Sequence, residues 1–170
     1  AKPRFTGNTA WRATVPVDQV RKGLIPPNAT VWAGPQGHVV TYYLRGGKLI
    51  NIVGVREARE WQDESWTTPG SKQELLEDFA PWCGEIQELL QAGEADTCFK
   101  WALQDRDPME SWSVGRVTLL GDACHPTLPF LAQGAVMAIE DAYVLAQCLS
   151  RQPDAPHEAL QNYQTMRAKR

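Results

Sequence analysis

The stretch "RVTLLGDACHPTLPFLAQGAVMAIEDAYVLAQCL", residues 116–149, decides how the rest of the chain is read. "RVTLL" is a nearly continuous apolar run, the pattern of a short strand covered on both faces, and it stops at Gly121-Asp122. Pro126 and Pro129 hold off a helix, which then opens at Gln133-Gly134-Ala135. The first-turn amides of a helix have no partner inside it, and Gly134 and Ala135 leave them sterically open. With the helix dipole behind them, such amides favour an anion or an electron-rich carbonyl. A carboxylate at the end of a strand, here Asp122, can hold ribose hydroxyls, although Gly-Asp alone serves a plain turn equally well. Further along, Ala135, Ala138, Ile139, Ala142, Leu145, Ala146 and Leu149 would form a small apolar packing face, leaving Glu140 and Asp141 on the solvated side.

The chain has 170 residues, one domain or parts of two. A hydrophobic fraction of 43% and a charged fraction of 22% are those of a globular protein. The net charge of -3 and the lack of a basic run argue against nucleic acid; Arg167-Ala168-Lys169-Arg170 reads as a solvated helix end. No apolar segment approaches the roughly 20 residues needed to span a membrane, and the first residues lack the apolar core of a signal peptide. Cys83, Cys98, Cys124 and Cys148 form no Cys-x-x-Cys pair and have no zinc-type histidine spacing. The expectation is reduced thiols in a cytoplasmic protein, with no metal site. Cys124 stands next to His125, but sequence neighbours rarely face each other as a catalytic pair must.

Upstream, "FTGNTAWRATVPV" (5–17), "TVWA", "HVVTYYLR" and "KLINIVGVRE" have strand composition and are separated by turns, with Asp18 placed to cap a short helix after the first. Gly46-Gly47 fits a two-residue hairpin loop, so an antiparallel meander is expected in which position 42 pairs with 51. "GSKQELLEDFAPWCGEIQELLQAG" predicts helix over 71–91 with a break near Pro81, and "CFKWALQD" predicts a further strand. Within "HVVTYYLR", His38, Val40, Tyr42 and Leu44 share one face, and His38 and Tyr42 lie about 13 Å apart along the strand. Asn51 joins that face from the next strand, beside Leu49, Val53 and Val55. A His, a Tyr and an Asn on an apolar face suit a small polar aromatic; a plain sheet with satisfied polar side chains shows the same pattern.

"GDACHPTLPFLAQGAVMAIEDA" resembles the second flavin-binding fingerprint of the group A flavoprotein aromatic hydroxylases, on Gly121, Asp122, His125, Pro129, Gly134 and Asp141. "FTGNTAWRATVPV", "HVVTYYLRGGKLINIVGV" and "WALQDRDPMESWSVGRVTLLGDA" are similar to the salicylate hydroxylase and 3-hydroxybenzoate 6-hydroxylase branch, so the likeness spans nearly the whole chain. Phe130 stands where many salicylate hydroxylases have a histidine, which leans toward the 3-hydroxybenzoate side. The resemblance implies an α/β (α+β) fold. Residues 1–112 would be a substrate-binding domain with an antiparallel meander and helices. Residues 113–170 would be the C-terminal strand and helices of a Rossmann-like FAD-binding domain. It implies FAD as cofactor, NADH or NADPH as co-substrate, and a small aromatic acid as substrate. Asp122 would bind the ribityl or ribose region, Pro126 would pack near the flavin ring, and the amides at Gly134 and Ala135 would face its pyrimidine edge. His38 would act as base, with Tyr42 and Gln133 orienting the substrate beside Asn51. His125 takes a structural or flavin-proximal role, and His157 is solvated.

The family's opening Gly-x-Gly-x-x-Gly is missing: no two of the 13 glycines are separated by one residue. The FAD site of this chain is thus incomplete, with the remainder coming from the missing N-terminal part of the FAD domain or from a partner in a homodimer. Alternatives of the same or another class are a 6-hydroxynicotinate-type monooxygenase and a non-catalytic fragment or binding module without bound FAD. Without the pyrophosphate loop, the 170-residue chain by itself is expected to retain little FAD through gel filtration; flavin retained near one equivalent would contradict this.

Overall fold

The computed structural model describes residues 2–58, 68–94 and 98–169. Within these the chain separates into two compact units: Phe5–Leu103, and Gln104 to the end together with the first four residues.

The first unit is built on alternation. Strand β1 (Arg4–Pro16) buries Trp11, Ala13 and Val15 on one face, while Arg12 between them is exposed. A 3-10 turn at Val17–Gln19 follows; Pro16 stands at its N-cap and Asp18 lies within it, so Asp18 is not the cap expected from the sequence. Strands β2 (Thr30–Gly34), β3 (Gly37–Leu44) and β4 (Leu49–Glu57) form the expected antiparallel meander. β4 then pairs antiparallel with β1, and β5 (Phe99–Asp105) completes the order β2-β3-β4-β1-β5.

The β3–β4 turn differs in detail from expectation. The Gly47 amide donates to the Leu44 carbonyl at 3.0 Å and the Lys48 amide to the same oxygen at 3.1 Å. The central residues are therefore Arg45 and Gly46, with φ of 50° and 65°, and Gly47 at 86° absorbs the extra residue. The turn lies one residue earlier than the Gly-Gly pair suggests, because the Gly47 conformation lets the loop close without shifting the strands. The register is unaffected: Leu44 faces Leu49 and Tyr42 faces Asn51.

Helix α1 (Lys72–Asp78) starts at Ser71, whose Oγ accepts from the Glu74 amide, and α2 (Gly84–Ala92) follows the break at Pro81. Both cover one face of the sheet, where Trp11, Val39, Ile50 and Ile52 pack with Leu75, Phe79, Trp82, Ile86 and Leu89. The Trp11 indole N–H donates to Asp78 at 2.7 Å, and the Lys100 ammonium lies 4.7 Å from the Trp11 ring centroid. Phe79 and Trp82 meet edge to face at 5.2 Å. Packing is tight enough that a Cβ on Gly54 would come within 2.5 Å of Phe79 Cζ.

In the second unit, β6 (Ser113–Val114) and β7 (Val117–Thr118) form a two-residue hairpin ladder. "RVTLL" is therefore not a strand covered on both faces. Val117 is 67% exposed and Leu120 40%, because among the described residues only β6 pairs with β7. Helices α3 (Gln133–Arg151) and α4 (Pro156–Arg167) pack on this hairpin around Trp112, Cys124, Cys148, Ala159 and Tyr163. His157 lies exposed in the first turn of α4.

Gly54→Ala is expected to lower stability by about 1–3 kcal/mol, the usual cost of overpacking, and to lower Tm correspondingly. Thermal unfolding of wild type and variant checks it; an unchanged Tm would mean that Phe79 has room to move.

Candidate functional site

Cross-strand pairing arranges the sheet face opposite α1 and α2 in rows. Tyr42, Asn51 and Thr14 are directly paired across β3, β4 and β1. His38 stands four residues from Tyr42 on the same face, paired with Val55, and Val40 paired with Val53 separates the two rows. The structure therefore brings His38, Tyr42 and Asn51 onto one surface with an apolar floor between them. Asn51 is 2% exposed, and its amide nitrogen Nδ2 has no hydrogen-bond partner. A buried donor left unpaired costs about 1–3 kcal/mol, which the packing around Asn51 has to offset.

The second unit holds Asp122, Pro126, Gln133, Gly134 and Ala135. Gly121 has φ of 58° and is buried; a Cβ there would lie 3.1 Å from Ala138 Cβ. Glycine is required at this corner by both conformation and space. Asp122 follows in a 3-10 turn, Gly121–Ala123. A second such turn, Pro129–Leu131, leads to Ala132 in the left-handed region, and α3 begins at Gln133 with no side chain capping it. The structure brings Asp122 to this helix start: a Cβ at Gly134 would lie 3.4 Å from Asp122 Oδ1 and 3.2 Å from Thr127 Oγ1. Glycine at 134 thus preserves a cradle beside uncapped, dipole-aligned amides, a fit for the electron-rich edge of a cofactor ring with sugar hydroxyls at the carboxylate. Pro126 lines a cavity of about 160 Å³ with Trp112, His125, Arg106 and Arg167.

The largest departure from expectation is Asp141, which is not on a solvated face but fully buried. Its Oδ2 accepts from the Gly121 amide at 2.8 Å and lies 2.5 Å from His125 Nε2, and its Oδ1 accepts from Arg167 Nε at 2.6 Å. Arg167, 7% exposed, also pairs with Glu140 at 3.0 Å and so is no solvated helix end; Arg170 lies outside the described residues. His125 stacks on Trp112 at 5.1 Å. Burial alone would raise the Asp141 pKa. The hydrogen bonds from His125, Gly121 and Arg167 outweigh it and hold the carboxyl below its ordinary value.

The buried stripe of α3 runs Met137, Asp141, Cys148, while Ile139 is 71% and Leu149 38% exposed. The packing face expected from the small residues is thus rotated, because α4 supplies the cation that draws Asp141 inward. The signal for it was present: Met137, Asp141, Val144 and Cys148 follow 4-3-4 spacing, which sets one acid in an apolar stripe.

Cys124, His125 and Asp141 each bring a possible metal-ligand atom within 4.8 Å of the others. Burial first, then the Asp141 charge, pushes the Cys124 thiol up to about 11, so it is protonated at neutral pH and a poor ligand or nucleophile. With Asp141 already bound by Arg167, the trio is part of the structural network.

A polar-spotted apolar sheet face in one unit, and an uncapped helix start with a carboxylate beside it in the other, are the candidate sites of this mixed α/β chain. The chain belongs to the FAD binding domain family, which it matches over residues 38–170. It is 41% identical over 169 residues to the 3-amino-4-hydroxybenzoate 2-monooxygenase PtmB3 of Streptomyces platensis, covering 99% of this chain and 42% of that protein. It is 40% identical over 169 residues to 3-hydroxybenzoate 6-hydroxylase 2 of Aquipseudomonas alcaligenes, covering 99% and 52%. A solved salicylate hydroxylase substrate complex superposes with a TM-score of 0.78 at 31% identity, covering 99% of this chain and 45% of the other. The chain thus spans about half the length of the relatives it matches.

Asp141→Asn should lower stability at pH 7, because it weakens the pairing of a buried Arg167. The sign of the pH dependence follows from the depressed carboxyl. Its contribution is full above the unfolded value, about pH 4, and is lost as pH falls through the lower folded value. Wild type should therefore lose more stability on acidification than Asp141→Asn. Parallel denaturation series at pH 7 and pH 3 check this, and equal losses would count against the network.

Proposed function

We propose that the complete protein is an FAD-dependent monooxygenase that hydroxylates a phenolic aromatic acid of the hydroxybenzoate class, using dioxygen and NADH or NADPH. The observation that carries this is the surface shared by His38, Tyr42 and the unpaired Asn51 amide, in a chain of the FAD binding domain family whose relatives include hydroxybenzoate monooxygenases. Residues 1–112 serve as the substrate-binding domain and 113–170 as the C-terminal part of the FAD-binding domain, completed by further chain or by a second subunit. Among the described residues no helix is long and apolar enough to cross a membrane, and a cytoplasmic location is part of the proposal.

Bound FAD supplies the electrons that turn dioxygen into an electrophilic oxygen donor. The chain's own residues do the rest. Asp122 binds cofactor hydroxyls, the amides at Gly134 and Ala135 face the electron-rich ring edge, and Pro126 packs near the ring. The substrate ring lies over Val40. At one edge His38 takes the phenolic proton, which enriches the ring in electrons as oxygen transfer develops, and imidazole is the side chain that titrates nearest neutrality. Tyr42 and Gln133 orient the substrate, and Asn51 Nδ2 donates to an acceptor on it.

His38→Ala in the complete enzyme should lower hydroxylation by about 10²–10⁴-fold, the usual cost of losing a general base, while flavin reduction by the nicotinamide is little changed. Oxygen that is activated but not transferred leaves as hydrogen peroxide. Nicotinamide oxidation, product and peroxide are followed together. Product that still accounts for all the nicotinamide consumed, at a normal rate, would remove His38 from this role.

A further inference from the structure

Asp122 holds the cofactor hydroxyls in the proposed chemistry, yet no side chain holds Asp122. It is exposed, and among the described residues its carboxylate has neither an ion pair nor a hydrogen-bond partner. Its placement is therefore set by its backbone, and two residues that bracket it meet at one atom. The Gly121 amide donates to Asp141 Oδ2 at 2.8 Å, and His125 Nε2 lies 2.5 Å from the same oxygen. The turn closes on itself at the Gly121 carbonyl, which accepts from the Cys124 amide at 3.1 Å and the His125 amide at 3.0 Å.

Which oxygen of Asp141 faces this turn is decided from the other side. Oδ1 accepts from Arg167 Nε at 2.6 Å. Arg167 Nη2 lies 3.0 Å from the Glu140 carboxylate and donates to the Met137 carbonyl at 3.4 Å. One guanidinium, buried near the end of α4, thereby grips three points within about one turn of α3. A planar fork with fixed donor directions can do this; an ammonium, a point charge on a flexible stem, does it only in part. Without Arg167 the Asp141 carboxylate could rotate, and burial would favour its protonated form. The turn that carries Asp122 would then lose its fixed acceptor.

We infer that Arg167 is a positioning residue for the cofactor site: by fixing Asp141 it fixes the 121–125 turn, and so sets Asp122 beside the start of α3 for the sugar hydroxyls of FAD. This rests on the reading of Asp122 as the carboxylate that binds the cofactor. It deepens that reading, because it gives a buried residue of α4 control over flavin affinity through Asp122.

The test is a double-mutant cycle on the complete enzyme stripped of flavin, titrated with FAD and read from the quenching of flavin fluorescence. Thermal unfolding of each flavin-free variant establishes that it is folded. Asp122→Ala should weaken FAD by about 10- to 100-fold, the size of a lost charge-assisted hydrogen bond. Arg167→Met should weaken FAD by about 10-fold beside Asp122 but by less than about twofold in the Asp122→Ala background, because residues that act through one contact are not additive. Arg167→Lys should fall between wild type and Arg167→Met, and it takes the place of Arg167→Met in the cycle if the latter does not fold. Equal losses in both backgrounds would mean that Arg167 serves the fold alone, and so would the failure of both variants to fold. No loss in either background would mean that α4 does not act on the site. Each of these overturns the inference and leaves Asp122 as the cofactor's carboxylate. If Asp122→Ala binds FAD as wild type does, the reading of the cofactor site fails and the inference with it.

Discussion

A carboxylate with no exposed surface must find its partners inside the protein, and Asp141 finds three, two in the turn before α3 and one on α4. One is the Gly121 amide, at a corner that only glycine fits. One is the His125 ring, itself stacked on Trp112. One is Arg167, near the end of α4. Burying an unpaired ion costs several kcal/mol, so these partners are conditions of the fold rather than additions to it. Together they tie the turn before Asp122 to α3 and tie α3 to α4. The position of Asp122 at the start of α3 depends on a residue two turns further along that helix.

The first unit solves a different problem by simpler means. Helices α1 and α2 take the apolar positions of one sheet face, with Trp11, Phe79 and Trp82 filling the interface. That leaves the other face, set by strict alternation along each strand, for residues whose polarity the core would not tolerate. His38, Tyr42, Asn51 and Arg12 all lie there. A one-residue slip between β3 and β4 would send Asn51 into the helix-covered core. The Arg45–Gly46 turn, with Gly47 taking up the slack, is the local feature that prevents it.

Much of this was legible in the sequence, and the rest was not, for identifiable reasons. The meander, the break at Pro81 and the Tyr42–Asn51 pairing follow from period-two alternation and turn residues, which are local properties. The uncapped start of α3 follows from two prolines and a glycine. The true centre of the β3–β4 turn was missed because Arg45 adopts a positive φ that sequence alone assigns to glycine first. The "RVTLL" run was misjudged because apolar composition reports a strand's suitability for burial, not whether neighbours are present to bury it.

The amino-acid sequence by itself determined which residues alternate to one sheet face, where helices start and break, and the membership in a flavin-binding family that its Gly-Asp and helix-start motif signalled. Tertiary structure alone decided which side of α3 is inside. Small apolar residues at 135, 139, 142 and 146 and the acid at 141 compete for that place on one helix. Hydrophobicity favours the first set by a little at each position. A buried ion pair and two further hydrogen bonds, supplied from residues 16 to 26 positions away in the chain, favour the second set all at once. No short window along the chain contains that sum, because the Gly121 and His125 terms need the turn folded against α3 and the Arg167 term needs α4 folded back.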